Sequence, residues 1–171
     1  MSRGINAKMF INYMYPINFI GNVKRLPNTT FHLQRSNIPA LSSSPITVPT
    51  GLNPIRATYD SLNYHELNWS FIVDEKLDNY MEIFDWMHGI AFPQDNDQFI
   101  GLSKDASDAT LKSDIGLTIL NSSKNPIASV TFYDTFPSFL GDLNFDTSAN
   151  ASTPLIAEVT FNYNYYSIER Y

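Results

Sequence analysis

The chain has 171 residues, of which 43% are hydrophobic, 14% aromatic and only 16% charged, and it contains no cysteine. The length suits one domain with a sizeable core, and the lack of cysteine excludes disulfides, thiolate metal sites, iron–sulfur clusters and a cysteine nucleophile. Apolar runs are all shorter than the roughly 18 residues that a spanning helix needs, and the N-terminus lacks the apolar stretch of a signal peptide, so we expect no membrane segment.

The first part of the chain predicts an N-terminal arm followed by strands. Residues 1–26 mix apolar side chains with asparagines, and we interpret them as an arm that leads into a first strand. Residues 31–36 alternate apolar and polar side chains, which is typical of a half-buried strand. Three prolines interrupt residues 37–49, so this segment is predicted to be an edge strand or an extended loop. Residues 65–73 alternate most clearly, and the apolar face of this predicted strand carries Leu67, Trp69, Phe71 and Val73.

A single helix is predicted over residues 75–88. Asp74 suits the N-cap position, and Glu75 places a favourable charge at the positive end of the helix dipole. Gly89 suits the C′ position that ends a helix. The spacing i, i+3, i+4, i+7 predicts a core-facing stripe made of Leu77, Tyr80, Met81 and Phe84. Three further apolar residues, Ile83, Trp86 and Met87, widen this stripe, and Asp78, Glu82 and Asp85 are expected on the polar face.

The second part predicts a long polar loop over residues 94–113 and then strands. The strands are expected at residues 115–120, 127–136, around 143–145 and 155–165. In the last one, apolar side chains at odd-numbered positions alternate with polar ones. The elements together predict a mainly β fold, an antiparallel β-sandwich or barrel with one packed α-helix, in a single domain over residues 1–171.

Charge is divided between the two parts of the chain. Residues 1–59 carry six lysines and arginines and no acid, whereas all seventeen acidic residues follow, and the formal net charge is −6. The basic residues are dispersed and the isoelectric point is about 4.8, which disfavours a nucleic-acid binder. The division is equally expected of ordinary solvated surface or of a molecule whose basic surface meets the acidic surface of a neighbour.

Motifs for catalysis or cofactor binding are missing from the sequence. The histidines lie on separate predicted elements, and no phosphate-binding glycine loop or nucleophile motif occurs. Asp95 and Asp97 begin like a calcium loop, but Ile100 stands where the loop needs glycine, and the bidentate glutamate is missing. We therefore expect no metal, no cofactor and no enzymatic activity.

The order of elements resembles the tail tube protein family of contractile-tailed bacteriophages (myoviruses), which includes tube-like tail-completion and terminator proteins. The resemblance covers most of residues 31–167. It is carried by Phe31–Leu41 with Pro49, Leu67–Glu75 running into Asn79–Met87, Leu117–Ser122, Val130–Pro137 and Ala157–Tyr165.

The resemblance implies a structural virion protein that forms hexameric rings of the inner tail tube, through which DNA passes without specific binding. It implies assembly in the host cytoplasm, contacts with the tail sheath and neighbouring tail proteins, and a loop over residues 42–56 that reaches an adjacent ring. A basic loop on one ring that meets an acidic helix face on the next would make the rings stack in one orientation only. The inter-subunit contact residues expected on this basis are Arg35, Arg56, Asp78, Glu82 and Asp85.

Two alternatives from other classes stay open on the sequence alone. One is a non-viral β-sandwich that binds a carbohydrate or small ligand, and the other is a hydrolase with a carboxylate pair in the 94–113 loop. Within the tail-tube interpretation, the repeating subunit and the terminator ring are both possible.

Overall fold

The computed structural model describes residues 13–23, 25–49, 51, 53–58, 61–91, 111–148 and 153–171. The first twelve residues of the predicted arm lie outside this part, as does the predicted 94–113 loop up to residue 110. Within the described residues, no helix is both long enough and apolar enough to cross a membrane.

The described part of the chain contains eleven strands and two helices. The helices are α1 (Pro27–Phe31) and α2 (Asp78–Ala91). The strands of the main sheet are β1 (Phe19–Val23), β2 (Leu33–Ser36), β7 (Leu67–Ile72), β8 (Ser113–Leu120), β9 (Pro126–Leu140), β10 (Ile156–Asn162) and β11 (Tyr165–Arg170). The remaining strands form two short ribbons, β3 (Leu41–Ser42) with β6 (Asn63–Tyr64) and β4 (Ile46–Val48) with β5 (Ile55–Ala57).

The main sheet is antiparallel, and its longest strand, β9, belongs to both halves of the sheet. The first half of β9 pairs with β8 and β11, and its second half pairs with β10, in the order β1-β8-β9-β10-β7-β2. At the division, Asp134 has a φ of 56°, which Asp tolerates better than most residues. Its amide donates to the Asp114 side chain (3.1 Å), and its carboxylate accepts from Asn164 Nδ2 (2.6 Å). The predicted mainly β fold with one main packed helix is confirmed.

The hydrophobic core lies between the two halves of this sheet and α2. Alternation along β7 and β10 is as predicted, because Leu67, Trp69 and Phe71 are buried and face Ala157, Val159 and Phe161. The Trp69 and Phe161 rings meet edge to face with centroids 5.5 Å apart.

Two strand predictions were wrong near Pro137. The strand was expected to end there, but β9 continues to Leu140, with Pro137 opposite Phe161 where the β10 register shifts. A proline is tolerated at such an irregularity because no ladder donor is required of it there. The short strand predicted at residues 143–145 is not a strand.

Two further predictions were wrong at the ends of the chain. The predicted arm over residues 1–26 contains strand β1, which begins at Phe19 and pairs with β8. The strand predicted at residues 155–165 is two strands, β10 and β11, and the second turns back to pair with β9.

The helix α2 begins at Asp78 and ends at Ala91, so the predicted bounds of 75–88 are shifted. Leu77 has a φ of 61° and cannot belong to the helix. A turn from Asp74 to Leu77, with the Leu77 amide 2.9 Å from the Asp74 carbonyl, precedes the helix. Gly89 lies inside the helix and is buried, rather than ending it.

Candidate assembly surfaces

The predicted core-facing stripe of α2 is only partly confirmed. Ile83 and Trp86 are buried and Tyr80 packs against the core, as predicted. Met81 and Phe84, with Leu77 just before the helix, are instead between 36% and 42% exposed. Both sets have helical spacing, so periodicity alone does not separate them. We call Leu77, Met81 and Phe84 the outer stripe.

Two acidic residues flank the outer stripe. Asp78 and Asp85 are exposed and lie one above the other, seven residues apart on the helix. Among the described residues, neither carboxylate has a hydrogen-bond or ion-pair partner. No described residue therefore neutralises either charge.

Glu82, the third acid expected at an interface, is instead engaged within the chain. Its Oε1 accepts from Asn28 Nδ2 at 2.8 Å, and its Oε2 lies 3.2 Å from the backbone nitrogen of Thr29. These groups belong to the first turn of α1, where Leu26 offers no side-chain cap. Glu82 therefore serves as the N-terminal cap of α1 and joins it to α2.

Arg35 lies on the face of the sheet that points away from the core. It pairs with Ser70, and Ser70 pairs on its other side with Glu158, so all three share that face. Arg35 is exposed and has no hydrogen-bond or ion-pair partner among the described residues. It borders an open cleft of about 490 Å³ whose other lining residues are the apolar Pro16, Phe19 and Ile156 and the polar Gln34 and Ser36. We call this the Arg35 cleft.

Arg56 lies on the β4–β5 ribbon, apart from Arg35. In the ribbon, Val48 pairs with Ile55 and Thr47 with Arg56. Because side chains alternate between faces, Ile46, Val48 and Ile55 share one face, and Arg56 points to the other. All three aliphatic side chains are at least 42% exposed. The five predicted contact residues therefore do not form one site within the chain.

Comparison with known proteins shows which proteins this chain is similar to. No family model matches the chain. The tail tube terminator protein of Enterobacteria phage T4 is 25% identical over 170 residues, which are 95% of this chain and 93% of the relative. The resemblance to tube proteins of contractile-tailed phages that the sequence predicted is thus supported by a relative that spans nearly the whole chain.

Solved structures agree with that assignment at the level of the fold. The cap that terminates the anti-feeding prophage tube has a TM-score of 0.68 at 15% identity, with 94% of each chain covered. The sheath/tube terminator of an extracellular contractile injection system, PVC, in the extended state has a TM-score of 0.66 at 17% identity, with 93% of this chain and 99% of the other covered. The proteins that these comparisons match are tube-terminating structural proteins.

The three histidines lie apart, as the sequence predicted. His32 Nδ1 lies 2.9 Å from the Asn28 carbonyl, and His65 Nε2 lies 3.0 Å from Ser42 Oγ. The His88 ring contacts that of Phe84, with centroids 4.0 Å apart. Among the described residues there is no group of three or more His, Asp or Glu side chains that could hold a metal. The predicted calcium-like segment at Asp95–Asp97 lies outside the described residues.

A cluster of tyrosines packs the β3–β6 ribbon against the C-terminal part of the chain. The Tyr64 ring meets those of Tyr163 and Tyr166 edge to face at 6.1 and 5.6 Å. Tyr163 Oη donates to the His65 carbonyl at 2.6 Å. Burial, with the two neighbouring phenols, raises the pKa of Tyr163 to about 12. The aromatic run at residues 161–166 indicated side chains that pack in a core or an interface, but the sequence did not show that they contact Tyr64.

Proposed function

We propose that this chain is the tube terminator of a contractile tail, a hexameric ring that closes one end of the inner tube. The observation that carries this proposal is the match to a terminator over nearly the full length of both chains. A repeating subunit must bind its own kind on both ring faces, whereas a terminator ring binds a different partner on one. The ring would be part of the virion and be assembled in the host cytoplasm.

The free edges of the main sheet support a ring of subunits. In the described part of the chain, β1 pairs only with β8, and β11 pairs only with β9. Each strand therefore offers unpaired backbone groups on its other side. Sheets of neighbouring subunits can join there, and six copies would close the ring.

One sheet face suits a channel through which DNA slides. On the face of β8, β9 and β11 that points away from the core, Thr118 pairs with Ser129, and Thr131 pairs with Ser167. These four side chains carry hydroxyl groups, and none of them is a lysine or an arginine. DNA affinity comes mainly from cations that neutralise phosphates, so a channel with this lining would pass DNA without holding it.

The outer surface and the ends of the ring would meet other tail proteins. We propose the sheath and the last ring of the tube as these partners. The β4–β5 ribbon has an apolar face and a separate basic face, which suits insertion between two neighbouring subunits of the next ring. Val48 and Ile55 would contact one neighbour, and Arg56 would contact acidic side chains of the other.

Mass photometry of the purified chain over a range of concentrations, followed by negative-stain electron microscopy, tests the proposal. Six-membered rings that never extend into tubes are expected. Long hollow tubes would identify a repeating subunit instead. A monomer at every concentration would contradict the ring and favour the ligand-binding module.

A further inference from the structure

The outer stripe of α2 and the Arg35 cleft are complementary surfaces. The stripe is apolar with Asp78 and Asp85 alongside, and the cleft has apolar walls at Pro16, Phe19 and Ile156 with Arg35 at its border. The two aspartates and the arginine all lack partners among the described residues. Opposite charges that border matching apolar areas favour a specific contact.

These two surfaces face opposite sides of the subunit. The inner face of α2 packs on the core, where the Trp86 and Phe161 rings lie 6.3 Å apart. Arg35 and Ser70 lie on the other side of the sheet, away from that core. One chain therefore cannot bring its own stripe to its own cleft. A contact between them must join two copies head to tail, and such contacts form a ring when the rotation between copies closes on itself.

We propose that the outer stripe of α2 seats in the Arg35 cleft of a second copy, with Asp78 and Asp85 facing Arg35. This inference rests on the proposed ring, and it assigns the side-chain contact that holds neighbouring subunits together. Glu82 takes no part, because α1 already occupies its carboxylate. Arg56 takes no part either, because it lies on the separate β4–β5 ribbon.

Charge reversal with rescue tests the contact. Arg35→Glu and Asp85→Arg are each expected to weaken ring formation by roughly tenfold or more, and the double variant is expected to restore most of it. Arg56→Glu is the matched control, since it reverses another exposed arginine that has no partner among the described residues, and the ring should persist. Thermal unfolding of each variant checks that the fold is intact.

Disulfide trapping gives a second readout, because the chain contains no cysteine. Met81→Cys and Gln34→Cys, combined in one chain, should give an oxidised ladder of multimers. A mixture of the two single variants should stop at dimers. Thr47→Cys combined with Met81→Cys is the control that should give no ladder.

The outcomes separate this contact from the ring itself. Wild-type rings that neither reversal weakens, or the absence of the ladder, would overturn the contact and leave the ring standing. Disulfide dimers formed by the Met81→Cys variant alone would show a symmetric helix pair and also overturn it. A wild-type chain that stays monomeric at every concentration, with no disulfide multimers, would overturn contact and ring together.

Discussion

The carboxylate of Glu82 lies 3.2 Å from the backbone nitrogen of Thr29, so a side chain in the middle of α2 caps the first turn of α1. The Thr29 hydroxyl also donates to the Asn79 carbonyl at 2.9 Å. The five-residue helix α1 is too short to be stable alone, and we attribute its order to these contacts with α2.

Removal of this cap should destabilise the fold. Glu82→Ala leaves the first-turn amides of α1 without their acceptor, and we expect the free energy of unfolding to fall by about 1–2 kcal/mol. Urea denaturation followed by circular dichroism measures the change. Asp85→Ala, one turn along α2 and without a partner, should change stability by less than about 0.5 kcal/mol. Equal effects of the two variants would contradict the cap.

Gly21 and Gly116 should respond differently to the same added methyl group. A Cβ at Gly21 would lie 2.6 Å from Leu33 Cδ2 and 3.2 Å from the Trp69 ring, whereas a Cβ at Gly116 meets nothing closer than 3.6 Å. We expect Gly21→Ala to cost about 1–3 kcal/mol of stability. Gly116→Ala should be neutral or slightly stabilising. The melting temperatures of the two variants test this, and similar temperatures would contradict the close approach of β1 to Trp69.

The raised pKa of Tyr163 predicts a loss of stability at alkaline pH. A folded-state pKa of about 12, above the ordinary value of 10.0, means that the folded chain holds this proton more tightly than the unfolded chain. The resulting stabilisation is complete below about pH 10 and is lost as the pH rises toward 12. Urea titrations at pH 9, 10 and 11 should show this decline, and Tyr163→Phe should show a smaller one. An identical decline in the variant would assign it to other groups.

The apolar face of the β4–β5 ribbon should matter for assembly and not for folding. Val48→Ser with Ile55→Ser changes two exposed side chains, so the melting temperature should stay within about 2 °C of the wild type. Association of the ring with its partner ring should weaken, because the apolar contact is lost. Thr47→Ala, on the opposite face, is the control. Pull-down with purified tube subunits measures the effect, and unchanged binding would exclude this face from the contact.

The alternation of buried and exposed side chains along single strands could be predicted, because it depends only on the order of neighbouring residues in the sequence. In β7 and β10, every second side chain must point to the same face, so the buried Trp69 and Phe161 followed directly from the sequence. The mainly β fold with one principal helix followed from the same patterns.

The tertiary structure alone decided which face of α2 is buried. The sequence placed Ile83 and Trp86 in the same broad stripe as Met81 and Phe84, and only the positions of β9 and α1 select the first two for burial. The role of Glu82 depended likewise on α1, 53 residues away, which local periodicity does not detect. The continuation of β9 past Pro137 needed the shifted register of β10. In each case the deciding contact joins segments that are distant in sequence, and propensity and periodicity report only on neighbours along the chain.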